Sequence, residues 1–470
     1  MKLFNSLTRK LEEVKPINPP NITLYTCGPT VYDFTHIGHM RTYTNNDVLK
    51  RTLSYLGYKV NHVMNITDVG HLSGDDDSGE DKMEKGAKKF NKTVWEVAEF
   101  YTDFFFKTTD ALNIIRPSTI CKATDHIENM LQLINRLKQK GFVYETNEAI
   151  YFDVTKFKNY GRLSGQKLEE KIQAVRKDVN IDLQKKHPAD FALWFKRVGR
   201  FADHTMHWPS PWGEGFPGWH IECSAMSMKY LGETIDIHSG GIDHVPVHHE
   251  NEIAQSEAAT DKPFVKYWIH YNFLSVDGQK MSKSLENFYT IEDIKKHGIS
   301  PISLRLLFLQ THYQQTLNFT WESVKASQEA YNNLRNIVLN LKNLSNTILR
   351  RSHQDGKNNY QRKFIDAIEN DLQTPQAVAI MWEMLKSNLS PQEKLDLLFD
   401  FDKVFGLKLN ELTEHIIPTE IMNLANQRLI LREKKNFVKA DILRKEIEKK
   451  GYILEDKIID NIPFYTIKKI

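Results

Sequence analysis

The sequence predicts an α/β fold: a Rossmann-like parallel-sheet domain carrying an inserted domain, followed by a helical region. Three stretches predict it. "NITLYTCGPTVY" is β-branched and aromatic and ends in a Gly-Pro turn, so it reads as a strand entering a loop. "IGHMRTYTNNDVLKRTLSYLGY" then carries apolar and aromatic residues at helical spacing and closes at Gly57. "KVNHVMNITDV" is a second strand. Strand, helix and strand in that order form a right-handed crossover between parallel strands.

Further along, the texture changes between about Ile115 and Pro211 to helical patterns such as "IENMLQLINRLKQKGF", short hairpin-like pieces and a charged run. "PGWHIECSAMSMKYLG" and "TIDIHSGGID" then return to helix and strand, as expected of one nucleotide-binding sheet with an insertion. Beyond Pro301 nearly everything reads as helix, through "ADILRKEIEKKG". The only low-complexity patch is the acidic "GDDDSGED".

A chain of 470 residues with 40% hydrophobic content can bury a substantial core and divide into several domains. Nothing in it approaches the ~18 apolar residues of a membrane span, so a cytoplasmic chain without membrane contact is expected. Cys27, Cys121 and Cys223 are too few and too scattered for a disulfide framework, and there is no C-x-x-C pair. The formal net charge of +3 is nearly balanced. From Asn426 onward, however, twelve Lys and Arg face seven Asp and Glu. A basic end of this kind suits a phosphate-backbone partner.

Two motifs carry chemistry. His36 and His39 flank Gly38 where the first helix opens, and a helix start offers unpaired backbone N–H groups to phosphate, with no side chain at Gly38 to obstruct it. The polar loop "VDGQKMSKSLENF" has an Asp277-Gly278 turn, then Lys280 and Lys283 three residues apart, able to neutralise charge on a departing pyrophosphate.

Together these elements are the HIGH and KMSKS signatures of class I aminoacyl-tRNA synthetases. The motifs "CGPTVYD", "HIGHMRT", "NITDV", "YGRLSG", "PADFALW", "SPWGEGFPGWHIECSAM", "HHENEIAQSEA" and "KMSKSLENF" resemble, in order, those of the cysteinyl-tRNA synthetases. The resemblance runs from about residue 3 to residue 456.

It implies ATP-dependent activation of L-cysteine to cysteinyl-adenylate and transfer to tRNA(Cys), with Mg(2+) accompanying ATP. It also implies one zinc ion per subunit, selecting the substrate thiolate, with Cys27, Cys223, His248 and Glu252 as ligands. His248 and Glu252 stand i,i+4 on a helix, and thiolate and imidazole suit Zn(II). His249 is the rival to His248; about 100° separates neighbours around a helix, so only one is expected to face Glu252. Cys121 lies outside every motif and is expected in the core. His36, His39, Lys280 and Lys283 are the implied catalytic groups. Trp219 is the implied wall of the cysteine pocket, Thr67 and Asp243 its polar contacts, and Gly28 the point where backbone approaches ligand.

The implied organisation is a split catalytic domain (1–115 and 212–275) around an acceptor-end domain (116–211). The KMSKS and stem-contact region (276–318), a helical bundle (319–410) and a small basic anticodon-binding domain (411–470) follow. A monomer is expected. A related ligase joining cysteine to an amino-sugar inositol shares the catalytic half but needs no anticodon-reading tail. A zinc hydrolase would leave KMSKS without a task, and a noncatalytic RNA-binding relative should have lost some of these residues. The acidic loop from Gly74 to Asp81, with His71 beside it, and the unusual chain end depart from the family pattern.

Overall fold

Alternating buried positions build β1 (Asn21–Thr26), whose Ile22, Leu24 and Tyr25 are fully buried. A loop leads to α1 (Ile37–Tyr55) and then β2 (Lys59–Ile66). The helices α2 (Lys82–Phe90) and α3 (Val94–Ala111) precede β3 (Thr119–Lys122). After α4 (Ile127–Gln139) and α5 (Trp219–Leu231) come β4 (Ile235–Gly241), α6 (His248–Thr260) and β5 (Val265–Tyr271). The computed structural model describes residues 1–70, 81–168, 182–282, 285–345, 354–413, 418–434, 436–459 and 462–469.

The five strands form one sheet in the order β5-β4-β1-β2-β3, and every pair is parallel. This is a doubly wound order, with the chain reversing direction across the sheet between β1 and β4. Ligands bind in such sheets at the strand carboxyl ends beside that switch point. Here the two carboxyl ends are Thr26-Cys27-Gly28 and Ser239-Gly240-Gly241, and they meet through the pairing of Thr26 with Ser239.

Between α4 and α5 an antiparallel sheet runs Val143–Glu145, Ala149–Phe152, Phe191–Lys196 and Gly215–Pro217, each strand beside the next. Asp277 and Gly278 both adopt positive φ and turn Leu274–Val276 back onto Gln279–Lys280, as the Asp-Gly pair predicts.

After α7 (Pro301–Leu309) come α8 (Trp321–Ser345), α9 (Gln354–Glu369), α10 (Thr374–Lys386) and α11 (Pro391–Phe405). A buried ion pair ties them to the sheet domain. The Arg305 guanidinium, fully buried on α7, pairs with the equally buried Asp47 carboxylate on α1 and donates to Phe405 O at 2.6 Å and Leu112 O at 2.9 Å. Pairing and added hydrogen bonds are what make a buried charge tolerable.

Residues 411–470 form a second compact unit. Its helices Thr419–Glu433 and Phe437–Lys449 bury Ile421, Ala425 and Ile447 together with Leu454. The chain then continues in an antiparallel pair, Tyr452–Ile459 with Ile462–Lys469, which corrects the all-helical reading of the end. Among the described residues no helix is long and apolar enough to cross a membrane.

Candidate active site and metal centre

A cavity of about 360 Å³ opens at the switch point, lined by Cys27 and Gly28 after β1, Gly240 and Gly241 at the end of β4, and the start of α1. His36 caps α1. Its Nδ1 accepts from His39 N at 3.2 Å, while His39 Nδ1 accepts from His36 N at 3.4 Å, and the two rings stack 3.6 Å apart. Contrary to the expectation of open backbone donors, two N–H groups at this helix start are taken by imidazole nitrogens. Because each Nδ1 accepts, each ring carries its proton on Nε2. Solvent reaches His39 at the cavity mouth, yet enclosure of its ring by protein pushes its pKa down to about 4. With Nδ1 accepting from His36 N, the His39 ring has its Nε2–H to offer as a donor.

Gly38 does not line the cavity. A Cβ there would lie 2.9 Å from the His36 ring and 3.8 Å from Met281, so the missing side chain makes room for the cap and for the following loop. Gly28 lines the cavity, but a Cβ there would fall 1.6 Å from Asn65 O. Contact between the β1 and β2 ends already demands glycine, whatever the ligand.

The floor is built by α5 and α6. Trp219 and Cys223, one turn apart on α5, both face the cavity, and the Trp219 ring lies against His248 at 4.3 Å. Among the described residues, the ligand atoms of Cys27, Cys223, His248 and Glu252 lie within 4.8 Å of one another, all buried. His248 Nε2 stands 3.0 Å from Glu252 Oε1. Two thiols, an imidazole and a carboxylate converging in this way fit the donor chemistry of a four-coordinate zinc site.

His249 also reaches this centre, 3.3 Å from Cys27 Sγ and 3.9 Å from Glu252 Oε1. The expectation that only one of the tandem histidines faces Glu252 is thus corrected: His248 is the first residue of α6, and its neighbour approaches from the side of β4. Cys27, His238, His249 and Glu252 form a second, overlapping quartet. Of the two histidines, His248 alone lines the cavity.

The electrostatics of the quartet are those of a site short of positive charge. Burial works against His248 protonation, but Glu252 and Cys223 outweigh it and raise its pKa to about 10. Burial likewise opposes Glu252 ionisation, yet His238 and His248 hold its carboxyl down at about 2. Burial pushes the Cys27 thiol up, while the Cys27 hydrogen bond pulls Cys223 down. Cys121, buried in β3, is pushed up to about 12 by burial and donates to Met64 O at 3.6 Å, away from the centre.

Asp243 is exposed at the cavity rim. Thr67 is buried in the wall, where its hydroxyl donates to Glu222 Oε2 at 2.8 Å. Lys280 is exposed on the turn strand and is not among the lining residues; Lys283, His71 and residues 74–80 lie outside the described residues. Phe288, beyond the lysines, does line the cavity and meets His36 edge-on at 5.0 Å.

Residues 13–329 match the family described as tRNA synthetases class I (C) catalytic domain. The cysteine–tRNA ligase of Treponema denticola is 44% identical to this chain, over 97% of it and 98% of the relative. This chain belongs to the cysteine–tRNA ligase family. Cysteine–tRNA ligases of Borreliella burgdorferi (41% identical; 97% and 98% covered) and Zymomonas mobilis (39%; 95% and 94%) agree. Among solved structures, the Mycobacterium tuberculosis methionyl-tRNA synthetase with methionyl-adenylate aligns over 82% of this chain and 88% of its own, with a TM-score of 0.56 at 14% identity. The LeuRS–tRNA–LeuAMS complex of Agrobacterium radiobacter covers 85% of each chain, with a TM-score of 0.60 at 12% identity. These two likenesses are of fold, the class I synthetase sheet.

For a cysteine–tRNA ligase relative, sequence motifs alone missed the groups behind the quartet. His238 Nε2 meets Glu252 Oε2 at 3.0 Å, and His220 Nδ1 meets His248 Nδ1 at 3.0 Å. Both histidines sit inside quoted motifs or strands, but their spacing from Glu252 and His248 carries no local period that would flag them.

Proposed function

We infer that this chain activates L-cysteine with ATP and transfers the cysteinyl group to tRNA(Cys). A cysteine carboxylate oxygen attacks the α-phosphorus of ATP, the bond to the bridging oxygen breaks, and Mg-bound pyrophosphate leaves. His36 and His39 donate from Nε2–H to phosphate oxygens and so stabilise the growing charge. Lys280 and Lys283 neutralise charge on the pyrophosphate. Asp243 and Thr67 receive the amino group and the ribose, Trp219 walls the side chain, and Gly28 keeps the backbone close. The carboxyl ester then forms at the terminal ribose of tRNA, which displaces AMP.

Cys27, Cys223, His248 and Glu252 would hold a zinc ion, which supplies a soft Lewis acid that favours a thiol over a hydroxyl. The observation that carries the reading is the buried two-sulfur quartet at the floor of a nucleotide-type cavity, one residue beyond β1. Within the tRNA, 116–211 takes the acceptor end, 276–318 the stem and 319–470 the anticodon side, and the chain works as a cytoplasmic monomer.

Pyrophosphate exchange with each amino acid, followed by charging of tRNA, tests this. Cysteine alone should support exchange and should end on tRNA(Cys). Exchange with another amino acid and none with cysteine would refute the reading.

A further inference from the structure

The segment Lys82 to Lys92 carries five lysines and one acid, and it leads into α3. On α3 the Phe100 ring is 46% exposed. Phe34, Phe100, Tyr101 and Phe104 form an edge-to-face cluster, with Phe34 meeting the other three at 6.1, 5.1 and 4.8 Å respectively. A separate pocket of about 90 Å³ lies between Phe34, Lys92, Val97, Phe100 and Tyr101. The Lys92 ammonium stands 5.0 Å from the Phe100 ring centre.

Phe34 also lines the main cavity. An occupant of the aromatic slot is therefore next to whatever fills the reaction site. Resting on the function inferred above, the transfer step must bring a terminal ribose into that cavity on a flexible single strand, whose unstacked bases need ring faces and whose phosphates need cations.

We propose that the slot between Phe34, Phe100 and Lys92 binds one nucleobase of the single-stranded 3′ end of tRNA, with Lys92 on the adjoining phosphate. The ring faces give sequence-tolerant stacking, and Lys92 swings from the Phe100 face to the backbone as the base enters. Lys92 is the cation that the slot itself offers to a phosphate. The slot thereby fixes the approach of the last nucleotides to the adenylate, and it takes no part in making the adenylate.

The test uses the full-length chain with three variants: Phe100→Ala, Phe100→Tyr and Lys92→Ala. Binding is measured with a short single-stranded RNA ending in CCA, with intact tRNA, and with tRNA lacking its single-stranded 3′ nucleotides. Phe100→Ala should weaken oligonucleotide binding and raise the KM for tRNA about tenfold or more, and leave cysteine-dependent exchange unchanged. Phe100→Tyr, which keeps a ring, should behave as wild type. Lys92→Ala should lower the salt slope of oligonucleotide binding by about 0.7, one phosphate's worth. Truncated tRNA should bind wild type and Phe100→Ala equally. Wild-type oligonucleotide affinity in Phe100→Ala, or an equal loss with truncated tRNA, would overturn the slot. Absence of cysteine-dependent exchange in wild type would instead overturn the function, while the oligonucleotide arm still reads the slot.

Discussion

His248 Nε2 and Glu252 Oε1 lie 3.0 Å apart across one turn of α6, and Cys27, which arrives from β1, closes on the same carboxylate oxygen at 4.0 Å. Helix and strand are separated by most of the catalytic domain in sequence, and the sheet order alone brings them together. Two quartets share Cys27 and Glu252, and Cys223 belongs to one of them only. Purified protein should contain about one zinc per chain. Cys223→Ala should lose most of it, whereas His249→Gln and Cys121→Ala should retain it. Metal analysis showing the reverse for Cys223 and His249 would move the ion to the second quartet.

Gly28 answers to packing before it answers to substrate. A methyl group at this position overlaps the Asn65 carbonyl oxygen at 1.6 Å, and backbone cannot swing aside as a side chain can. Gly28→Ala should therefore lower stability by about 2 kcal/mol or more, through overpacking at the cavity wall, and reduce exchange with it. Denaturant melting that matches wild type would contradict this contact.

Much of this was legible in the chain, and the remainder was hidden for identifiable reasons. The β1-α1-β2 unit stood out because strand and helix periods alternate cleanly there, and the quartet could be named because motif order resembles one family. His36 and His39 as reciprocal caps could not be foreseen, since imidazoles are not the usual capping groups. The joint approach of His248 and His249 was hidden because α6 begins at the pair, so helical angles do not govern both sides. The closing strands, Tyr452–Ile459 and Ile462–Lys469, carry charges among their β-branched residues, which blurs the period.

His62 makes the fold sensitive to acid. It is buried on β2, where its Nε2 lies 2.9 Å from Thr26 Oγ1, and burial followed by nearby Lys50 lowers its pKa to about 3. Above pH ~6.5, neither folded nor unfolded His62 binds a proton and its contribution is intact. As pH falls from there toward 3, the unfolded chain takes up a proton that the folded chain refuses, so stability drops by up to ~1.4 kcal/mol per pH unit. His62→Gln should lose less stability than wild type between pH 7 and pH 5, by ~2 kcal/mol. Identical pH dependence in urea melts would rule His62 out.

Asp47 and Arg305 fasten α1, which begins at the cavity, to the helices after residue 320. Asp47→Ala leaves a fully buried guanidinium with carbonyl partners only, and should cost about 3–5 kcal/mol. A double variant with Arg305→Met should recover part of that loss. A destabilisation below about 0.5 kcal/mol in the single variant would show that the pair does not hold this joint.

The central claim is that this cavity selects a thiol at the activation step. Shape alone separates cysteine from serine by about 1–3 kcal/mol, whereas a soft metal beside Cys27 and Cys223 favours sulfur over oxygen far more. Pyrophosphate exchange should be measured with cysteine and serine, with zinc loaded and with zinc removed. The account predicts discrimination on the order of 10⁴ or more, some ~5.5 kcal/mol, that collapses when the metal is stripped. Serine activated within about tenfold of cysteine by the zinc-loaded protein, or a preference that survives metal removal, would contradict it.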